Sequence, residues 1–273
     1  MTAGRSYLAF VAAAFLALLA GAAILAPLIA PWSETAIAGD PWSPWSARNW
    51  LGTDSLGRDL LSRLLFGARN TIAIALLATL ISGTVGIVLA FAAATFKGWV
   101  DQALSRSVDV FMSIPTLIFA LVVLSGLGSS IPVLLGTIAF LDSTRFYRLA
   151  RALAVDVMAL DFIETARLRG EGFWWFLRRE ILPNVRAPLL AEFGLRFSFA
   201  ALFLSSLSFL GLGVQPPAAD LGSMVKDNVN AIAFGLAVPL VPAILLALMT
   251  IAVNILVDWH ISRDGAPKAG RQG

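Results

Sequence analysis

Few residue types that could do covalent chemistry are present in the sequence. The chain has no Cys and a single His, His260, which excludes a thiolate nucleophile, a disulfide and a multi-histidine metal site. No Gly-Lys dipeptide occurs, so a phosphate-binding loop of the Walker A type is also excluded. Glu192 and Arg196 stand four residues apart, a spacing at which a helix lets them neutralise each other. We therefore expect no catalytic, cofactor-binding or metal-binding residues in this chain.

The composition places the chain in a lipid bilayer. Hydrophobic residues make up 58% of its 273 residues and charged residues 14%, whereas a soluble domain has about a quarter of its residues charged. Five uncharged runs are long enough to cross a bilayer, and Gly126, Gly128 and Pro132 divide the third of them into two helices. We predict an all-α membrane protein with a single transmembrane domain over residues 1–273. Its six spans lie at about 8–30, 71–96, 110–127, 131–148, 190–213 and 236–258.

The basic residues orient these spans. Six spans put both termini on one side, where fourteen of the 20 Lys and Arg then lie; five lie on the other side and Arg196 lies within a span. The positive-inside rule assigns the basic side to the cytoplasm, and the eight Trp fall at or beyond span ends, as interfacial rings do. The first span follows Arg5 and resembles a secretory signal, but its long uncharged run favours a retained anchor.

Residues 54–68 have the pattern of an amphipathic helix on the outer side. Leu56, Leu60 and Leu64 recur every four residues, while Asp59 and Arg63 share the polar face as an i,i+4 pair. Thr53 or Asp54 could cap its start. This helix either lies at the outer interface or forms a lid or docking surface at the outer mouth.

The cytoplasmic region 150–186 is long for a connection and contains six of the 20 basic residues. We predict a helix through about Arg169, a break at Gly170 to Gly172, a short helix over 173–180, and a stop at Pro183. Four consecutive aromatic residues, 173–176, favour contact with the membrane interface or with a partner. The alternative is a basic loop resting on anionic headgroups.

A third segment, the outer loop 211–222, contains two prolines and several glycines and is predicted to follow a bent, non-helical path. It is either a connector or part of an outer gate.

These three segments together resemble the inner-membrane permease subunit of a bacterial ATP-binding-cassette (ABC) importer of the dipeptide, oligopeptide and nickel type, the second permease of the pair. One signature is Leu51-Gly-Thr-Asp…Gly57-Arg-Asp…Ser62-Arg…Gly67-Ala-Arg69, and the other is Ser208-Phe-Leu-Gly-Leu-Gly-Val-Gln-Pro-Pro217. The resemblance covers almost the whole chain. It implies a type I importer permease: six transmembrane helices, cytoplasmic termini, an outer amphipathic helix and cytoplasmic coupling helices in a bacterial inner membrane.

The cytoplasmic segment is similar to the permease "EAA" motif, which docks on the ATPase subunits. Two positions depart from the motif, since Thr165 replaces the middle Ala and Glu180 stands where the family has an apolar residue or His. The resemblance implies that the ATPase-coupling residues are Glu164, Thr165, Ala166, Arg167, Arg169, Gly170, Leu182 and Pro183. The two helices and the glycine break between them form an elbow, which ion pairs of Glu164, Arg167 and Arg169 would orient.

The resemblance also implies the partners. These are a second, homologous permease forming a heterodimer, two ATPase subunits that bind ATP and Mg, an extracytoplasmic solute-binding protein, and membrane lipid, with no nucleic acid. The chain itself would hold no cofactor and catalyse no reaction. ATPase closure would act on the elbow around Gly170 and switch the pathway between inward and outward access.

Further polar residues are candidates for the outer mouth and the spans. The outer-gate or binding-protein contacts would be Asp54, Arg58, Asp59, Gln215, Pro216 and Pro217. The pathway or packing residues would be Ser205, Ser206, Ser208, Asn254 and Asp258. The serines could instead bond to their own helix, and Asn254 and Asp258 resemble helix-packing or gating groups of the family.

Two other classes of protein compete with this interpretation. A self-contained secondary transporter or channel should show inverted repeats and charged groups at the midplane, and a membrane-embedded enzyme needs clustered His, Cys or carboxylates within its spans. Neither pattern is visible in the sequence. Peptide is the first expectation for the solute, followed by nickel chelates, opines, and glutathione-like or sugar-conjugated ligands.

Overall fold

The computed structural model describes residues 3–264, with the side chains of residues 3–5, Arg167 and Asp264 left out. Arg5, Lys268 and Arg271, three of the fourteen basic residues assigned to the cytoplasm, therefore lie outside the described side chains. Within the described residues the regular structure is helical, apart from two isolated bridges. The helices are α1 (Ala3–Ile24), α2 (Ala26–Ile29), α3 (Leu60–Phe96), α4 (Gly98–Ser113), α5 (Thr116–Leu127), α6 (Ile131–Met158), α7 (Asp161–Leu168), α8 (Phe173–Trp175), α9 (Leu182–Phe209), α10 (Leu221–Asn228) and α11 (Leu240–Asp264).

Four helical stretches in the described part of the chain are long and apolar enough to cross a membrane. They are Ser6–Ile24, Leu60–Phe96, Phe173–Phe209 and Leu240–Arg263. Helices α4 and α5 qualify together as a bent fifth crossing. Helix α6 is apolar over its first turns but then carries Asp142, Arg145 and Arg148, so its crossing, the sixth, stays a prediction.

The predicted span 110–127 is wrong as a straight helix. Helix α4 ends at Ser113 and α5 begins at Thr116, with a bend of 86° between them. Pro115 explains the break, because it has no N–H to donate and forces the preceding residue out of the helical region. Ile114 accordingly adopts an extended conformation, with φ −83° and ψ 127°.

The predicted outer helix 54–68 is also wrong at its start. Residues 54–59 form a turn in which the Asp54 carboxylate accepts the backbone N–H groups of Leu56 and Arg58 at 2.8 and 2.9 Å. Asp59 is the N-cap and accepts the N–H of Ser62 at 2.8 Å. From Leu60 the helix continues without a break to Phe96, so the outer helix and the second span are one 37-residue helix.

Pro183 does not stop the cytoplasmic helix. A π-helical turn over Phe176–Ile181 joins α8 to α9, and helix continues from Phe173 to Phe209. Pro183 lies in the first turn of α9, where a missing N–H is tolerated. The Asn184 side chain donates to the Glu180 carbonyl at 2.6 Å. The helix that contains the span predicted at 190–213 therefore begins well before residue 190.

The other bounds differ at helix ends. Helix α1 covers residues 3–24 rather than 8–30, α6 extends past 148 to Met158, and α11 begins at Leu240 rather than 236. The break between 127 and 131 is present, with Gly128 at φ +83°.

Helices α3 and α6 form the centre of the fold and pack closely. A Cβ added at Gly86 of α3 would lie 2.6 Å from both the Phe146 Cβ and the Ser143 carbonyl oxygen of α6. Small residues let membrane helices approach in this way. One buried cluster continues from this contact into the cytoplasmic end of the fold, where it includes Phe91, Tyr147 and Ile181.

Candidate functional site

The cytoplasmic elbow, residues 161–183, consists of α7, a four-residue break and the long helix from Phe173 to the first two residues of α9. Gly170 has φ +77°, a left-handed conformation that favours glycine, and it turns the chain between the two helices. Gly172, two residues later, is extended with φ −90° and ψ 172°. An added Cβ would meet open space at both positions. The break therefore depends on the backbone conformation of Gly170 rather than on lack of room.

One face of α7 packs inward and the other is exposed. Ile163 and Ala166 are each 1% exposed and belong to the cluster that contains Phe176 and Ile181. Leu168, in contrast, is 85% exposed at the end of the helix. The elbow is therefore anchored on its inner side and presents an apolar side chain outward.

The structure brings the predicted coupling residues to this elbow. Ala166 is buried, whereas the exposed residues are Glu164, Thr165, Arg169, Gly170, Leu182 and Pro183. The Arg167 side chain lies outside the described residues. The expected ion pairs are not present for Glu164 and Arg169 within the described residues; Arg169 instead lies over the Trp175 ring, 5.7 Å from its centroid.

The aromatic run of the elbow is mostly internal. Phe173 stacks on Phe96, the last residue of α3, with ring centroids 5.5 Å apart, while Trp175 and Phe176 pack on the cytoplasmic cluster. Trp174 is the exposed member, at 58%. The elbow is thus in direct contact with the end of the central helix.

A second group of polar residues holds the outer side together. We call it the outer platform: residues 53–71 with residues 217–228. Asp54 is buried and binds the Arg58 guanidinium, with Nε and Oδ2 2.7 Å apart, and it lies 3.7 Å from the Arg63 Nε. The predicted pair of Asp59 and Arg63 is therefore wrong, because Arg63 turns toward Asp54. Asp54, Arg58, Asp59 and Arg63 are all buried here, which makes the pairing of the charges essential.

Hydrogen bonds join the start of α3 to the outer loop. Arg63 donates to the Pro217 carbonyl at 3.1 Å, and Asn70 donates to the Ala219 carbonyl at 2.7 Å. Thr71 accepts the N–H of Leu221 at 3.0 Å. The loop is therefore bonded to α3 at three points.

Helix α10 completes the platform and was not predicted. Asp220 caps it by accepting the N–H groups of Gly222 and Ser223, and burial raises the pKa of the Asp220 carboxyl. Asn228 at its other end accepts the N–H of Ser55 at 2.9 Å and the indole N–H of Trp42 at 3.3 Å. The capping-box spacing of Asp220 and Ser223 is the sequence signal that could have revealed it.

The six predicted outer contacts separate into two groups. Asp54, Arg58 and Asp59 are buried within the platform, a position suited to a structural role. Gln215, Pro216 and Pro217 are exposed at the tip of the loop.

The predicted pairing of Glu192 and Arg196 is confirmed, with Nε and Oε1 2.6 Å apart. The sequence reasoning missed their neighbours on α6. Arg196 also lies 3.9 Å from Asp142, which pairs with Arg145 at 3.0 Å. Two acidic and two basic side chains thus form a neutral cluster across α6 and α9.

The residues predicted to line the pathway or to pack the spans lie in different environments. Ser206 donates to its own helix at the Leu202 carbonyl, and Ser208 accepts the N–H of Val214. The Ser205 hydroxyl is buried without a hydrogen-bond partner among the described residues and lines a groove of about 440 Å³. Asn254 and Asp258 are exposed on α11.

Comparisons with known proteins agree with this architecture. Residues 82–263 match the family described as "Binding-protein-dependent transport system inner membrane component". The glutathione transport system permease protein GsiD of Pectobacterium atrosepticum is 32% identical over 256 residues, covering 93% of this chain and 85% of that protein. The Escherichia coli O6:K15:H31 protein of the same name is 34% identical over 256 residues, covering 93% and 84%.

A solved structure is similar in fold. It is titled "Crystal structure of an amino acid ABC transporter with histidines" and superposes with a TM-score of 0.53 at 19% identity, covering 75% of this chain and 93% of that chain. The chain has the type I permease fold and is a multi-pass protein of the bacterial inner membrane. It belongs to the family of binding-protein-dependent transport system inner membrane components, as a permease of the peptide and nickel type of ABC importer.

Proposed function

We propose that this permease couples nucleotide hydrolysis by two partner ATPase subunits to alternating access, and that the coupling acts through the elbow. The observation that supports this most strongly is the two-sided packing of α7. Its inner face belongs to the same buried cluster as the ends of α3 and α6, while Leu168 is left exposed. A force applied to the outer face would reach the spans through packed side chains, which resist compression.

The exposed side of the elbow has the character of a protein-docking surface. Phe162, Leu168, Trp174 and Leu182 are 42%, 85%, 58% and 38% exposed. Exposed apolar side chains gathered on a cytoplasmic segment, with charged residues around them, are typical of a site for a protein partner. ATP and Mg would be bound by that partner.

A second permease would complete the pathway. Helix α11 leaves Ile244, Leu248, Ile251, Asn254 and Asp258 exposed at three- to four-residue spacing. Asn254 and Asp258 lie on this otherwise apolar stripe, where polar side chains are costly in lipid but are satisfied against another helix. We propose a heterodimer with a homologous permease.

For the solute, we propose a peptide or a peptide-like molecule delivered by an extracytoplasmic binding protein. The relatives named above are permeases of glutathione transport systems, which supports a small peptide-like solute. The exposed tip at Gln215, Pro216 and Pro217 is held rigidly by the outer platform and is the proposed contact for the binding protein.

The substitution Leu168→Asp tests the docking surface. A charge placed in an apolar contact has to be desolvated on binding, so we expect the amount of ATPase that co-purifies with the permease to fall at least about tenfold. The thermal unfolding midpoint of the permease should not change, because Leu168 packs against little of its own chain. Leu56→Asp, the same change at a 61% exposed leucine on the outer side, is the control and should leave ATPase recovery intact. Unchanged recovery with Leu168→Asp would refute docking at this face.

A further inference from the structure

Helix α4 meets α5 nearly at a right angle. Lys97 and Gly98, with φ +52° and +56°, turn the chain sharply out of α3, and the 86° bend at Pro115 turns it again into α5. Helix α5 packs along α6 in the opposite direction, since Thr116 contacts Arg145 and Phe119 stacks on Phe140. If α6 crosses the bilayer, α5 beside it is the membrane-crossing part of the bent pair, and α4 lies in the plane of the membrane at its cytoplasmic surface.

One face of α4 is fixed to α6 by polar contacts. Asp101 forms a bidentate ion pair with Arg151, and Ser105 shares a hydrogen bond of 2.9 Å with Tyr147. Asp109 pairs with Arg148 at 3.0 Å. Asp101, Ser105 and Asp109 follow one another at four-residue spacing, so both acidic side chains of α4 lie on the side of α6.

The opposite face of α4 is exposed, apolar and basic. Trp99, Ala103, Arg106 and Val110 follow one another at three- to four-residue spacing and therefore share one side. Trp99 is 80% exposed and Val110 62%. Arg106, and Lys97 at the start of the helix, take part in none of the ion pairs found among residues 3–264. This face therefore carries positive charge without internal compensation.

We propose that this face of α4 binds the anionic surface of the cytoplasmic leaflet. Trp99 and Val110 would insert at the level of the headgroups, and Arg106 and Lys97 would contact phosphate groups. An interfacial helix needs this combination, namely an apolar stripe with Trp and with basic side chains beside it. Charge complementarity selects lipid over a protein partner, because the acidic half of the helix is already occupied by α6.

Binding to lipid would hold α4 in place beside the elbow. Leu104 and Val108 of α4 pack on the cytoplasmic cluster that contains Ile163 and Phe176 of the elbow. When the elbow moves, a membrane-bound α4 would stay in place, and the motion would be directed into α3 and α6. The inference concerns a different surface from the ATPase-docking face and does not depend on it.

Spin labelling tests the proposal directly because the chain contains no Cys. The substitution Ala103→Cys places one label on the exposed face of α4 in the assembled transporter, with cysteine-free partner subunits, in vesicles of phosphatidylethanolamine and phosphatidylglycerol. We expect the label to be more accessible to oxygen than to a water-soluble nickel chelate. Thr165→Cys, on the exposed face of α7, is the matched control and should not show the preference for oxygen.

Three results would overturn the proposal. Higher accessibility to the nickel chelate at position 103 would place the face in water, and shielding from both reagents would place it against a protein partner. An unchanged ratio of oxygen to nickel-chelate accessibility in vesicles of phosphatidylcholine alone would show that the anionic headgroup has no role. In the variant Arg106→Gln, the label at 103 should lose its dependence on phosphatidylglycerol, and full retention of that dependence would exclude Arg106 as the contact.

Discussion

Replacing Gly170 by Val is expected to lower solute uptake and transporter-stimulated ATP hydrolysis by at least about tenfold. Gly170 has φ +77°, where an L residue costs about 1–2 kcal/mol and a β-branched residue more. The elbow would relieve this strain by changing the angle between α7 and the helix that begins at Phe173, and the ATPase contact would no longer be aligned with the cytoplasmic cluster. The measurement is uptake, with ATP hydrolysis, in proteoliposomes that contain the complete transporter.

Gly172→Val provides a matched control for this prediction. The two positions are two residues apart and both open onto free space, but Gly172 has an extended backbone that any residue adopts. Gly172→Val should therefore retain most of the uptake. Equal activity of the two variants would show that the left-handed turn at Gly170 has no part in coupling. The bulkier substitution Gly170→Trp should be at least as damaging as Gly170→Val.

The substitution Asp54→Ala is expected to destabilise the permease by about 3–5 kcal/mol, the usual cost of removing one partner from a buried charge pair. It would leave the buried guanidinium groups of Arg58 and Arg63 without their shared carboxylate and would free the N–H groups of Leu56 and Arg58. The thermal unfolding midpoint in detergent should fall by many degrees. The yield of folded protein should fall with it.

Asp40→Ala is the control for the outer platform. Asp40 belongs to the same outer segment but is exposed, so the same change should alter stability by no more than about 0.5 kcal/mol. If Asp54→Ala unfolded at the same temperature as Asp40→Ala, the buried network would not be what holds the outer side together.

The central helix links these two predictions. Helix α3 is about 55 Å long, from its 37 residues at 1.5 Å each. Its outer end is bonded to the loop through Arg63, Asn70 and Thr71, and its inner end stacks on the elbow through Phe96. Docking of a binding protein outside and closure of an ATPase inside would therefore act on the same rigid element.

Much of the architecture could be predicted from local signals. Uncharged runs located the apolar helices, the glycines near 126–128 located a break, and Gly170 located the elbow, because each of these features depends on a few neighbouring residues. The pairing of Glu192 with Arg196 was predictable for the same reason, as it lies within one helix.

The errors arose where one local pattern is compatible with two structures. The four-residue leucine spacing over 56–64 fits a helix that starts at 54 as well as one that starts at 60. The Asp54 side chain decides between them, because its contacts with Arg58 and Arg63 hold residues 54–59 in a turn. Pro183 is normally a stop signal, yet the π-helical turn before it lets the helix continue. Apolar composition also concealed the bend at Pro115, since residues 110–127 are uncharged on both sides of the proline.

The most direct test of the account is whether transport by this permease needs nucleotide hydrolysis by its partners. Proteoliposomes would contain this chain with its partner permease and ATPase subunits, supplied with binding protein and solute, and uptake would be measured with and without ATP. We expect accumulation only when the ATPase subunits and ATP are both present. Transport at the full rate by this chain alone, in liposomes without nucleotide, would contradict it.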